Sequence, residues 1–325
     1  VSERVWKILE DSARYSFNSS HSLCVATDSL YVAWLKSHHP LYFYEQFLKI
    51  LEKGGEKKRL ALTKNEAEKN FGITFPKFEF GQDNRNIIAN PENNSITMSL
   101  KTIKGFGDAL AEDMINLYKM FEGNEFLDLL ILAEEINVFS KKWESLIKIG
   151  YFNKFGKRKK LLIFYNEFKS GKNRYNSKLK EKTKNIRKDA LQKIWEEIPN
   201  NDLAIREIIW DETEILGEPI TTFPLDGRWA VVLTLDDKWS PKLKLYFLKT
   251  GKIGETKVSK KEYKEKPISE GDFIFCSSFE KKPRWKKLDD GSFEPIPNTE
   301  EWWVKNYKKG TEKQLEKEIN DGKYS

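Results

Sequence analysis

The sequence predicts a multidomain α+β fold in which helical modules are followed by a small OB-type β-barrel. Three observations carry that prediction. Apolar residues recur at helical spacing through most of residues 2–197. A glycine-paired turn, "IKGFG", opens a helix that runs to Lys119. From Arg228 the texture changes to short β-rich runs separated by Gly, Asp and Pro, with one small helix after the third run. That is the order of an OB-type Greek-key barrel. The expected division is 1–55, 56–200, 201–300 and a helical tail over 301–325.

Each element follows from its local pattern. Residues 2–12 form a helix with Val5, Trp6, Ile8 and Leu9 on one side. After the polar turn "SFNSSHS", residues 23–36 make a second, with Leu23, Ala26, Leu30, Ala33 and Trp34 at helical spacing. Pro40 resets the chain, and "LYFYEQFLKILEK" is a third helix ended by Gly54 and Gly55. A short helix over 57–70 ends at Gly72. "ITFPKFEF" and "SITMSLKTI" read as extended segments around the turn-rich "GQDNRN" and "NPENN". Helices follow at 103–119, 125–136 and 140–149, and residues 157–197 are helical with a break at "KSGKNRYNS". The barrel strands are "RWAVVLTL", "KLKLYFLK", "GETKVS" and "GDFIFCSSF", with the helix "SKKEYKEK" after the third. A last strand comes from "RWKKL" or "SFEPI", and the tail ends in a charged helix.

Charged residues make up 33% of the chain and the longest apolar runs span a few positions, which excludes a membrane-spanning helix of about 20 apolar residues. Cys24 and Cys276 lie far apart and form no metal-type pair, so a reduced, cytoplasmic setting is expected. The chain begins at Val1 without an initiator Met, which reads as a fragment or a processed product. Its net charge is +7, yet residues 141–200 hold 18 Lys and Arg against 6 Asp and Glu, a local +12. Such a block is the footprint of a phosphate-backbone binder, and equally suits a solvated Lys-rich linker. Only 10 of the 57 basic residues are Arg, which favours sequence-neutral contact over bidentate base readout.

The most specific local signal is Ile103-Lys104-Gly105-Phe106-Gly107 with Ala111 and Ile115 following at intervals of four. This is the helix-hairpin-helix pattern. Two glycines permit a tight turn whose backbone N–H groups, at a helix start, face a phosphate. Ala111 is small enough for close helix approach. Candidate duplex-binding residues are therefore Lys104, Gly105, Phe106 and Gly107, with the run Lys157, Arg158, Lys159 and Lys160 in the basic block. In the barrel, Trp229 and Trp239 are candidates for base stacking, beside Tyr246, Phe247 and Trp285.

The stretch "VWKILEDSARYSFNSSHSLCVATDSLYVAWLKSHHPLYFYEQFL" resembles the end of the fingers region of the bacterial replicative polymerase III alpha subunit, family C. The residues that carry the likeness are Tyr15, Phe17, Asn18, Ser20, His21, Tyr31, Trp34, Leu35, Lys36, His38 and Pro40. "GITFPKFEF", "LKTIKGFGDALAEDMI", "WESLIKIGYFNKFGKR" and, more weakly, "EILGEPITTFP" resemble later elements of that family in the same order. The chain departs from the pattern at Cys24, Thr27 and Asp28, where small or apolar residues are common, and lacks the His-Pro before the barrel. These departures suggest a diverged member, such as a phage-borne one.

The resemblance implies a C-terminal portion of a DNA-directed DNA polymerase: end of fingers, helix-hairpin-helix domain and OB barrel. It implies that Tyr15, Asn18, Ser20 and His21 line a nucleotide pocket, although the rings also suit a core and His21 a helix cap. It implies primer–template DNA and a palm-containing catalytic portion as partners. The Mg²⁺-binding carboxylates lie in that palm, so no cofactor is expected on this chain and no polymerisation from it alone. "LDDKW" and "LDDGS" are turn chemistry. His21 and Cys24, with His38 and His39, make a poor zinc set because no second close pair of thiolates is present. Leu191-Gln192-Lys193-Ile194-Trp195 falls where family members carry a sliding-clamp peptide, but an amphipathic helix face is the preferred reading. The rival function is a stand-alone helix-hairpin-helix/OB accessory protein in replication or repair.

Overall fold

A computed structural model of the chain describes residues 2–13, 19–138, 142–238, 240–287 and 292–322. Two units are present. One holds the residues up to Phe78 together with Gln82–Ile115, and the other holds Glu79–Gly81 and everything from Asn116 onward.

The first unit opens with helices α1 (Ser2–Ala13), α2 (Ser19–His38), α3 (Pro40–Lys53) and α4 (Lys57–Phe71). Pro40 occupies the first turn of α3, where its missing N–H is harmless, and Leu41, Tyr44, Leu48 and Leu51 bury one helical face. Gly72, at φ 62°, ends α4 in the left-handed conformation that glycine adopts without strain. The antiparallel pair β1 (Ile88–Asn90) and β2 (Ser95–Thr97) sets Ala89 opposite Ile96. Tyr44, Leu48, Ala67, Ile73, Ile87, Ile96 and Met98 close the core. A 3-10 turn, Leu100–Thr102, then leads into α5 (Asp108–Met120). Helix α2 begins four residues before its expected start, so Ser20 and His21 lie in its first turn.

The second unit continues with α6 (Phe126–Glu135), α7 (Trp143–Lys148), α8 (Arg158–Ser170), α9 (Glu181–Glu197) and α10 (Ile205–Leu216). Trp143 stacks on Phe152 with ring centroids 5.0 Å apart, inside a cluster that includes Phe126 and Phe164. Next come β3 (Trp229–Asp236), β4 (Lys242–Phe247), β5 (Ile253–Val258), α11 (Lys260–Glu265) and β6 (Phe273–Lys282). They are followed by β7 (Trp285–Lys287), β8 (Phe293–Pro295), β9 (Glu301–Gly310) and α12 (Glu312–Asn320).

Five strands close a barrel in the order β3-β4-β5-β9-β6, with β5 and β9 its parallel pair and α11 between its third and fourth strands. This is the OB-type arrangement that the strand texture predicts. Alternation along the strands explains both layers. Ala230, Val232, Leu243, Leu245, Ile274, Cys276, Val304 and Tyr307 fill the interior. Trp229, Val231, Tyr246, Leu248 and Phe273 point outward and are covered by Ile205 and Ile209 of α10 and Leu315 of α12.

Three expectations are corrected here. "ITFPKFEF" forms no strand among the described residues, only isolated bridge residues at Thr74, opposite Ser95, and at Phe80, because Ile73, Phe75 and Phe78 pack into the helical core instead. The fifth barrel strand comes from neither "RWKKL" nor "SFEPI", which pair with each other as β7 and β8. It is β9, so the barrel runs to Gly310 and the helical tail starts only at Glu312. Trp303 and Val304 pair with Lys257 and Val258, and most of β9 pairs with β6.

No helix of the described residues is long and apolar enough to cross a membrane. Burial pushes the Cys276 thiol up to about 12, whereas Cys24 lies exposed on α2. A thiol titration of the native chain is expected to modify Cys24 and to reach Cys276 only after unfolding. Equal reaction rates for the two would contradict a closed barrel interior.

Candidate nucleic-acid interface

The hairpin is built from its anchors outward. Ser99 accepts the Lys101 backbone N–H at 3.1 Å and donates its hydroxyl to the Arg85 carbonyl, holding the 3-10 turn. Ile103 and Phe106 are buried, as are Leu110, Ala111 and Met114 on the inner face of α5. Between the anchors, Gly105 sits at φ 79° and the Phe106 N–H closes the turn onto the Ile103 carbonyl. Gly107 needs no such freedom. A Cβ placed on it would meet nothing within 4 Å, so its surface is open to a ligand at the start of α5. Lys104 is exposed beside it.

The two glycines thus serve separate purposes, one conformational and one of access. Phe106 is an anchor and not a contact, which corrects its candidacy. The charge around the hairpin is mixed, since Lys101 pairs with Asp108 at 3.0 Å and Arg85 binds Asp83 and, more loosely, Glu112. Hydrogen bonds to Asp83, before all else, raise the Arg85 guanidinium above its ordinary range.

The basic run of the second unit separates by burial. Lys157 and Lys159 are exposed at the start of α8, where the Lys157 N–H is held by Asn200 at 2.8 Å. Lys160 lies over the Trp195 ring at 4.0 Å. Arg158 is not available to DNA. It is 3% exposed and pairs at 3.0 Å with Glu212, which is fully buried on α10. Glu212 also accepts the N–H groups of Ile220 and Thr221 and the Thr221 hydroxyl, so helix, strand-leading loop and helix meet at one carboxylate. Gly150, at φ 82°, lets the guanidinium pass. A Cβ there would lie 3.1 Å from it and 2.6 Å from Asn153. Lys154 stands over Phe80, Phe155 and Tyr118 at 4.6–5.3 Å, and burial lowers its amine below the usual lysine range.

In the barrel, Trp229 is 9% exposed and donates its indole N–H to Glu318 at 2.9 Å. It fastens α12 to the sheet and cannot stack on a base. Tyr246 is likewise buried, with its hydroxyl on the Thr221 carbonyl. Tyr15, Phe17, Asn18 and Trp239 lie outside the described residues. Ser20 and His21 are exposed on α2. Leu191 is buried and Trp195 packs on Phe164 and Phe126 while Lys193 is exposed, the pattern of an amphipathic helix face. Among the described residues no group of three His, Cys, Asp or Glu is placed to hold a metal ion.

A family of helix-hairpin-helix motifs matches residues 65–162, which span the Gly105/Gly107 turn and the start of α8. The DNA polymerase III subunit alpha of Aquifex aeolicus is 27% identical over 267 residues, covering 79% of this chain. The chain is similar to DNA polymerase III alpha subunits. Its likeness is to their C-terminal, helix-hairpin-helix-bearing part. The subunit alpha of Campylobacter jejuni is 26% identical over 247 residues, 72% of this chain, and that of Ureaplasma parvum is 28% identical over 160 residues, 49% of it. The chain spans about a fifth of these relatives' length, 21%, 20% and 16% respectively.

Proposed function

We propose that this chain is the C-terminal portion of a family C replicative DNA polymerase, which grips primer–template DNA and completes the nucleotide pocket of the palm-containing catalytic portion. The hairpin carries this reading: Gly107 leaves open the N-terminal end of α5, where free backbone N–H groups favour a phosphate. Contact there is to the sugar–phosphate backbone and so independent of sequence. The barrel takes the single-stranded template. Mg²⁺ belongs to the catalytic portion, where it would supply the charge that phosphoryl transfer needs.

Helix α2 supports the second half of the reading. None of its described residues is buried, and Leu23, Leu30, Tyr31 and Trp34 are 49–69% exposed. A helix this apolar and this bare suits burial against another protein surface. We assign that surface to the catalytic portion, with Ser20 and His21 facing the incoming nucleotide and Tyr15 and Asn18 preceding them in the chain.

The test is reconstitution with a separately expressed palm-containing portion. His21→Ala should raise the nucleotide KM or lower kcat about tenfold or more, as expected for one lost hydrogen bond to a charged group. Duplex binding by the chain should stay unchanged. Normal nucleotide kinetics combined with a lowered melting temperature would make His21 a structural residue and remove it from the pocket.

A further inference from the structure

The glycine-paired turn carries little surplus charge of its own. Residues 99–112 hold two lysines, Lys101 and Lys104, against two acids, Asp108 and Glu112, whereas residues 157–160 hold four cations and no acid. Asp108 is the first residue of α5, directly after the open Gly107. Its carboxylate therefore stands at the helix end that favours an anion. The Lys101 amine meets it at 3.0 Å, with the Lys101 side chain 24% exposed and that of Asp108 86%. A second cation near the turn is engaged as well, since Arg85 binds Asp83 at 2.6 Å and reaches Glu112 of α5 at 3.4 Å.

We propose that Asp108 is an internal stand-in for a DNA phosphate, which weakens the grip of the hairpin on duplex so that the grip can be released. A carboxylate and a phosphate at this place compete for the same helix end and the same lysine, and they repel each other. Exposure decides which of the pair gives way. Lys101 lies mostly against the protein, whereas the Asp108 carboxylate is bare and can turn into solvent. An arriving phosphate takes over Lys101 from the carboxylate, one anion being exchanged for another. The exchange is close to charge-neutral, so phosphate binding at the turn gains the backbone N–H groups without gaining a full ion pair. The consequence is mechanical. A polymerase must let its duplex advance after each addition, and a contact that loses little on release does not hold it back. Lys157 and Lys159, exposed in an acid-free run, supply steadier attraction.

This role rests on the proposed function, and one experiment separates the two. A labelled blunt duplex is titrated across a salt series against the full chain, Asp108→Asn, Lys101→Gln and the double variant. Asp108→Asn should bind about three- to fivefold tighter at low salt, the range of an exposed charge–charge interaction. Its log–log salt dependence should be steeper by about one, because the freed Lys101 now pairs with phosphate at the cost of a counterion. Lys101→Gln should lose more affinity in the Asp108→Asn background than in wild type, since only there is the lysine free beforehand. Asn keeps the size of the side chain, so melting curves should stay close to wild type. Unchanged affinity in Asp108→Asn would overturn the role and leave the polymerase reading standing. Weaker binding with a lowered melting temperature would make the carboxylate a mere stabiliser of α5, and weaker binding only with Mg²⁺ present would make it a cation ligand. Either result overturns the role, as does an equal Lys101→Gln loss in both backgrounds. A wild-type chain that binds no duplex sinks the proposed function together with it.

Discussion

Duplex DNA binding by this chain is expected to fall about 10³-fold between ~50 and ~200 mM salt, the loss that roughly six neutralised phosphates produce through counterion release. The exposed cations available are Lys104 at the hairpin and, in the second unit, residues such as Lys157, Lys159, Lys172, Arg174 and Lys178. Sequence should matter little, because lysine contacts to phosphate read no base edges. Gly107→Val should weaken binding at any salt by filling the space through which a phosphate reaches the α5 N-terminus. Its effect on stability should stay within about 1 kcal/mol, the cost of a poorer helix-start residue, since its Cβ enters open space. Gly105→Val differs, because a β-branched residue at φ 79° strains the turn and lowers the melting temperature as well. Fluorescence anisotropy across a salt series, with melting curves for both variants, checks this. A flat salt response, or Gly107→Val binding like wild type, would remove the hairpin from the interface.

Arg158→Ala is expected to destabilise the second unit by about 3–5 kcal/mol, the usual consequence of leaving one member of a buried ion pair alone. Glu212 keeps its hydrogen bonds from Ile220 and Thr221 in that variant but loses the counter-charge of Arg158 in a site closed to water. The pair itself is imperfect: the Arg158 Nε and Nη1 atoms have no hydrogen-bond partner among the described residues. Combining Arg158→Met with Glu212→Gln, which removes both charges but keeps an acceptor for the Ile220 and Thr221 N–H groups, should therefore recover much of the loss, since desolvating the charges costs free energy that the pair only partly returns. Denaturant unfolding of wild type, single and double variants measures this. A single variant as stable as wild type would mean that the carboxylate reaches solvent. Duplex affinity of the folded variant should equal that of wild type, which separates this arginine from its exposed neighbours Lys157 and Lys159.

What the chain's local patterns encode was legible without coordinates. Helices α3, α4, α8 and α9 follow apolar spacing with Pro40, Gly72 and the break at 171–180 as punctuation. The hairpin was legible because the paired glycines mark a tight turn, and the positive φ at Gly105 is a conformation that glycine adopts without strain. Helix α10 was missed, although Ile205, Ile208 and Ile209 mark its face, because Glu212 stands on that same face and breaks the apolar pattern. Strand β9 was missed for a related reason. Its lysines and Asn306 read as a solvated tail, and only Val304 and Tyr307 reach the interior.

Burial, and with it the role of each charged or aromatic side chain, was decided only by the tertiary structure. Arg158 sits in the same basic run as Lys157 and Lys159, yet it faces Glu212, which lies 54 positions along the chain. Trp229 and Trp285 both follow an arginine at the start of a strand. One is roofed by α12 through Glu318, and the other stands free on a hairpin beyond the barrel. Sequence alone determined most of the helices, the glycine-paired turn and the first four barrel strands with the small helix among them, because those depend on neighbours a few residues apart. Which rings and cations remain for a ligand depends on partners far along the chain, and those become neighbours only when the barrel closes and its helices pack against it.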